Sequence, residues 1–165
     1  MLPLGALRAR GADARAFLQG QLSCDVTRLA TGRSLGGGYH NPQGRVVALL
    51  RLVELAADDI IALLPGELVT TVALRLQKFV LRSKVKIEDA SASFAIRGLI
   101  QAPPGAPGLP QAADEASAHP GGGIAVRIRG PAARWLLRRR VRSASRRAAA
   151  GRPTARAPSP CGGWR

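Results

Sequence analysis

The feature that most constrains this chain is a pair of apolar runs, Arg45 to Leu55 and Ile60 to Leu64, separated by the acidic residues Asp58 and Asp59. The first is rich in Val and Leu and carries Arg51 and Glu54 only near its end, so it reads as a mostly buried strand. The acidic pair supplies a polar turn, and the second run becomes another strand of the same sheet. Upstream, Pro42, Gln43 and Gly44 read as a turn, because proline fixes φ at a turn's second residue and glycine accepts positive φ. A short strand, Tyr39 to Asn41, precedes that turn and is reached through the flexible Gly36, Gly37 and Gly38.

Helical patterns flank these strands. Asp13 can cap a helix that sets Phe17, Leu18 and Leu22 on one side, with Gly20 weakening or ending it. Asp25 or Ser23 can cap a second short turn containing Val26 and Leu29, closed by Gly32. Gly66 to Val80 is the clearest helix: Leu68, Val72, Leu76 and Phe79 recur at helical spacing, while Glu67, Arg75 and Lys78 fall elsewhere. Alternation in Lys84 to Glu88 marks a half-exposed strand, and Ser93 to Ile100 and Gly123 to Arg129 look like two more. Between the last two, Gln101 to Gly122 holds Pro103, Pro104, Pro107, Pro110 and Pro120, which predicts a surface loop or lid without regular structure. Strands and helices mix without strict βαβ alternation, so the expected class is α+β with a largely antiparallel sheet.

A length of 165 residues suits one ordinary domain with a real core, and 46% hydrophobic residues agree. Only 4% are aromatic, which argues against an extended base-stacking surface. The formal charge of +15 is unevenly placed. Residues 1–126 hold 13 basic against 10 acidic side chains, whereas residues 127–165 hold 12 arginines and no acid. A charge concentrated in this way describes a tail rather than the body. Two cysteines form no CxxC or Cys/His spacing, so neither a disulfide framework nor a zinc site is expected, and Cys24 reads as a small packing residue. His40 and His119 belong to no catalytic or metal constellation. No apolar run reaches membrane-spanning length and the N-terminus makes a poor signal peptide, so a cytoplasmic location is expected.

Three short strings add a family resemblance: Asp-Ala-x-x-Phe-Leu-Gln-Gly-Gln from Asp13, Asp-Val-x-x-Leu from Asp25, and Asn-x-x-Gly-Arg-Val from Asn41. Their order resembles the N-terminal domain of YgfZ-type folate-binding proteins, relatives of the glycine-cleavage T protein, an aminomethyltransferase. The likeness begins near residue 4 and fades after about Trp135. It implies a glycine-cleavage T protein-like fold, tetrahydrofolate or a derivative as ligand, and a role beside iron-sulphur assembly proteins in cluster assembly or repair and linked tRNA modification. The T protein family carries two acids on the strand that follows its Asn and Gly pair. Here Ala48 and Leu49 stand at those positions, and neither can accept a proton or a hydrogen bond, which disfavours aminomethyl transfer.

Gln19, Gln21, Asn41, Gln43 and Arg45 are the polar groups expected to line a folate-sized pocket, with Arg45 suited to pair a glutamate carboxylate. A competing reading gives Gln19 and Gln21 to a helix end and Asn41 to Gly44 to the turn alone. Asp25 is read as a cap. Lys78, Arg82, Lys84 and Lys86 form a basic run that either contacts RNA phosphates or is a solvated face.

Residues 1–132 thus read as a folate-binding-like domain and 133–165 as a disordered tail rich in Arg, Ala and Pro. No core-forming pattern continues past Leu137. The family's later motif, Lys-Gly-Cys-(Tyr or Phe)-x-Gly-Gln-Glu, is absent, and Cys161 in Pro-Cys-Gly-Gly-Trp does not match it. The change of composition suggests that residues from about Arg138 are a truncated or frameshifted product; the rival is a basic arm that binds RNA or ribosomes electrostatically.

Overall fold

The structure, a computed structural model, describes residues 3–100, 106–120, 122–130 and 134–140. The first sheet contains β1 (Leu4–Arg10), β2 (Ser34–His40), β3 (Val46–Ala56), β4 (Asp59–Pro65) and β5 (Lys86–Asp89), in the order β2-β3-β4-β1-β5. Every pairing in it is antiparallel. The two apolar runs form the β3–β4 hairpin as expected. Helix α1 (Ala14–Gln21) follows β1, a 3-10 turn occupies Val26–Arg28, and α2 (Gly66–Gln77) follows β4.

The period of two along each strand divides the apolar residues between two cores. Leu7 and Ala9 of β1, Leu50 and Leu52 of β3, and Ile60, Ala62 and Leu64 of β4 pack against Phe17 and Leu18 of α1 and Val69, Val72, Ala73 and Leu76 of α2. The opposite face supplies Ala6, Val53, Ile61 and Leu63 to a second core. That core is completed by Phe94, Ala116 and Val126 of a second antiparallel sheet. It comprises β6 (Phe94–Ile100), β7 (Ala116–Ala118), β8 (Ile124–Ile128) and β9 (Arg134–Arg140), in the order β6-β9-β8-β7. The α+β class with antiparallel sheets is therefore observed.

Several local expectations change. The glycines Gly36, Gly37 and Gly38 are not a loose approach to a strand but lie inside β2, opposite Arg51, Leu50 and Leu49 of β3. At Gly37 a Cβ would stand 2.5 Å from the sulfur of Cys24, so close packing rather than flexibility explains that glycine. Helix α1 runs through Gly20 and ends at Gln21. Asp13 precedes it without a side-chain cap; its carboxylate instead accepts the backbone N–H of Lys84 at 2.6 Å. Helix α2 stops at Gln77, three residues short of the expected end, which leaves Phe79 54% exposed instead of in the core.

The proline-containing segment is not all irregular, because β7 forms between Pro110 and Pro120. Backbone bonds from Ala116 N–H to Gly32 O at 2.8 Å and from Ser34 N–H to Asp114 O at 2.7 Å tie it to the first sheet. The expected boundary at residue 132 falls just before β9, whose pairing with β6 continues past Leu137 to Arg140. Residues 141–165, including Cys161, lie outside the described residues.

Candidate functional site

The second sheet covers only part of the face that it packs on. Toward the β2 edge, that face remains open as a groove of about 540 Å³, lined by Leu4, Gly36, Gly38, Leu49, Arg51 and Ile128 among others. Leu63 and Pro65 of β4 extend the wall, and Ser23 borders the β2 end. The register explains the composition. Gly36 opposes Arg51 and Gly38 opposes Leu49, so two strands present a floor with glycine on one and a long side chain on the other. Apolar walls, one cation and this volume are what a small-molecule site needs.

Of the two positions where the T protein family was expected to carry acids, the structure separates them by face. Ala48 is 3% exposed and belongs to the helix-side core, whereas Leu49 is 70% exposed on the groove. A carboxylate at 49 would stand in the groove; one at 48 would point into hydrocarbon. This chain offers a leucine at the reachable position.

Arg51 is the charged group of the groove, and it is held in place. Its Nη1 donates to Asp114 Oδ1 at 2.7 Å and to Ser34 Oγ at 3.0 Å. Asp114 also accepts a hydrogen bond from Arg129 Nε. Burial alone would push the Asp114 carboxyl up; the hydrogen bonds from Arg51 and Arg129, with their charges, outweigh it and hold the carboxyl below its ordinary range. Two guanidinium groups against one carboxylate leave the groove's edge positive.

The five residues expected to line a pocket lie elsewhere. Gln19 Oε1 accepts the Val26 N–H at 2.6 Å, joining α1 to the 3-10 turn, and Gln21 is the half-buried last residue of α1. Asn41 Oδ1 accepts the N–H groups of Gln43 at 3.1 Å and Arg45 at 2.8 Å, so it organises the β2–β3 turn, with Gly44 at φ +78°. Gln43 and Arg45 are exposed in that turn. None of the five is among the groove-lining residues. Asp25 accepts the Thr27 N–H at 3.2 Å and serves as the expected cap. The basic residues Lys78, Arg82, Lys84 and Lys86 are exposed around the segment linking α2 to β5, remote in sequence from the groove.

The sequence signal for the groove was the alternation along β3. Counting by two from buried Ala48 and Leu50 places Leu49 and Arg51 together on the other face. The glycines could be assigned to it only through the β2–β3 register. Among the described residues, no group of three or more His, Cys, Asp or Glu could hold a metal ion, and no helix is long and apolar enough to cross a membrane.

A five-stranded sheet with two helices on one face and a four-stranded sheet on part of the other defines the glycine-cleavage T protein-like fold. The glycine cleavage system aminomethyltransferase T of Bartonella henselae superposes with a TM-score of 0.68 at 15% identity, covering 83% of this chain and 40% of that one. No family model matches the sequence. The tRNA-modifying protein YgfZ of Vibrio vulnificus strain CMCP6 is 33% identical over 135 residues, 81% of this chain and 40% of the relative. An uncharacterized protein of Haemophilus influenzae is 32% identical over 82 residues, 50% of this chain and 29% of that protein. Over this matched part the chain is similar to the YgfZ proteins, and it spans about two-fifths of the length of the Vibrio relative.

Proposed function

We propose that this chain is a cytoplasmic folate-binding protein of the YgfZ type, which holds tetrahydrofolate or a derivative in the groove without transferring its one-carbon unit. In this reading it acts beside iron-sulphur assembly proteins and supports tRNA modification through them. The observation that carries the ligand assignment is the floor built by Gly36 and Gly38 beneath Leu49. The floor is open at Gly36, where a Cβ would meet nothing nearer than the Arg51 guanidinium at 3.5 Å, and is bordered at Gly38 by the His40 imidazole, 2.7 Å from where a Cβ would stand. A flat ring is therefore accepted over Gly36, with the apolar walls covering it. The adjoining Arg51 offers donors to an anionic end of the ligand. Leu49 in place of an acid supports binding without transfer, since no carboxylate reaches the ligand from this strand.

Titration of the full chain with tetrahydrofolate under anaerobic conditions tests the reading. Saturable binding is expected, weakened at least tenfold by Leu49→Trp, which fills the groove from an exposed position. Asn41→Ala and Arg45→Ala are expected to leave affinity within twofold of the parent. Binding that ignores Leu49→Trp but follows the two turn substitutions would transfer the site to the β2–β3 turn, and absence of binding would remove the ligand assignment.

A second reading, RNA or ribosome binding through the basic C-terminal residues, is favoured by the 12 arginines and no acid in residues 127–165. Strongly salt-dependent RNA binding that is lost with residues 141–165 is its expected signature.

A further inference from the structure

Phe79 and Leu81 belong to neither hydrophobic core. They follow the end of α2 and are 54% and 86% exposed, and Leu74 on the last turns of α2 is 57% exposed. Three large apolar side chains are thus exposed within eight residues, a local concentration of the kind that marks interaction surfaces. Around them Arg75, Lys78, Arg82 and Lys84 make no ion pair among the described residues, whereas Lys86 pairs with Glu88 at 2.6 Å.

The backbone that carries these side chains is tied down. Phe79 N–H bonds to Leu76 O at 2.9 Å and Val80 N–H to Gln77 O at 3.2 Å. Lys84 N–H is held by the Asp13 carboxylate at 2.6 Å, and Lys84 O accepts the Asp13 N–H at 3.3 Å. An aromatic ring and four exposed cations, with the Asp13 carboxylate beside the backbone of one of them, are thereby displayed on an ordered segment, which reduces the ordering cost of binding.

We infer that the segment from Arg75 to Lys84 is a contact surface for single-stranded RNA, with Phe79 stacking on an unpaired base and the surrounding cations meeting phosphates. The choice of RNA rests on the exposed aromatic set among cations, and the surface does not depend on folate binding. Cations interleaved with an exposed aromatic fit a single strand, whose bases are free to stack, better than a duplex, whose bases are paired. A lipid surface fits less well. The apolar face of α2, formed by Val69, Val72, Ala73 and Leu76, is buried on the first sheet, so this helix does not offer that face to a membrane interface.

The test uses the full chain, so that residues 141–165 contribute equally to every variant. Affinity for a labelled single-stranded oligouridylate is measured across a salt series, with heparin as a polyanion lacking bases. Phe79→Ala is expected to weaken RNA binding about tenfold, with an unchanged salt slope and unchanged heparin affinity. The triple variant Lys78→Gln, Arg82→Gln, Lys84→Gln is expected to reduce the slope of log K against log salt by about 2. Photo-cross-links from 4-thiouridine should map to residues 75–84. An unchanged slope in the triple variant, cross-links confined to residues 141–165, or equal loss of heparin and RNA binding in Phe79→Ala would overturn the inference. So would dependence on Phe79 and Leu81 of binding to phosphatidylserine vesicles in place of RNA. Tetrahydrofolate titration of the same variants, expected to be unaltered, separates failure here from failure of the groove reading.

Discussion

Arg51 on β3 reaches across to Asp114, which precedes β7, with Nη1 and Oδ1 2.7 Å apart, and so joins the two sheets beside the groove. Both side chains are about 15% exposed, and Asp114 holds φ +64°, the left-handed region that non-glycine residues seldom adopt. Its backbone carbonyl accepts from Ser34 N–H and its own N–H donates to Arg127 O at 3.0 Å. One residue thus fixes the β7 segment to the first sheet by both backbone and side chain.

The charge of Asp114 should therefore contribute to stability in a pH-dependent way. Its carboxyl titrates below the ordinary range, so the contribution is complete above the unfolded value of about 3.9 and is lost as pH falls through the lower native value. Asp114→Asn keeps a residue that tolerates positive φ while removing the charge. We expect it to cost about 2 kcal/mol near neutral pH, typical of a hydrogen bond to a charged group. Urea titrations of both proteins over the acid range should show the gap closing only below about pH 4. A gap already closed at about pH 5 would contradict a lowered carboxyl.

Arg15 and Glu54 form a second ion pair, and its two members should respond unequally to removal. Glu54 is 6% exposed at its side chain and Arg15 is 31% exposed. Arg15 also donates to the carbonyls of Val26 at 2.9 Å and Leu29 at 2.5 Å, whereas Glu54, besides Arg15, accepts from the Thr31 hydroxyl at 3.3 Å among the described residues. Arg15→Ala strands a buried carboxylate and is expected to cost about 3 kcal/mol. Glu54→Ala leaves a guanidinium with water and two carbonyls, so about 1 kcal/mol is expected. Equal losses in chemical denaturation would argue against burial as the source of the difference.

Gly37 and Cys24 should be coupled. A Cβ at position 37 would lie 2.5 Å from the Cys24 sulfur and 3.1 Å from its Cβ. Gly37→Ala is expected to destabilise by about 2 kcal/mol through overpacking. In a Cys24→Ala background the sulfur is gone, and about 1 kcal/mol of that loss should be recovered. Additive effects in the double-mutant cycle would mean that the strand moves rather than the side chain. Burial, with the charge of Asp25, pushes the Cys24 thiol up, so alkylation of Cys24 in the folded protein at neutral pH should be slow.

What could be read in the sequence follows the range of the interaction. The β3–β4 hairpin was legible because its apolar runs and acidic turn are local, and α2 because its buried stripe repeats through Leu76. The same stripe misassigned Phe79, since periodicity carries no signal for a helix that ends at Gln77. β2 was hidden by glycines that have poor strand propensity and are held by pairing with β3. β7 was hidden because three residues, Ala116 to Ala118, are too few to show alternation. The groove needed both signals. Leu49 and Arg51 follow from period two along one strand, but Gly36 and Gly38 join them only through register, which residues distant in sequence set. Asn41 and Gln19, expected at a pocket, each satisfy a backbone N–H close by, a local role that the turn and helix-end reading of the sequence also gave.

Adjacent substitutions at Ala48 and Leu49 offer the sharpest check on this division of faces. Ala48→Asp would put a carboxylate into the core beneath the helices, at a position 3% exposed, where no partner compensates its lost hydration. We expect a loss of at least about 3 kcal/mol, with partial recovery as pH falls and the new acid is neutralised. Leu49→Asp stands 70% exposed on the groove and should change stability by no more than about 0.5 kcal/mol. Since Arg51 lies two residues along the same strand face, the new charge should also reduce the attraction of the groove for anionic ligands, seen as weaker tetrahydrofolate binding in a protein of unchanged melting temperature. Comparable destabilisation by the two substitutions would refute the assignment of Ala48 to the core and Leu49 to the groove.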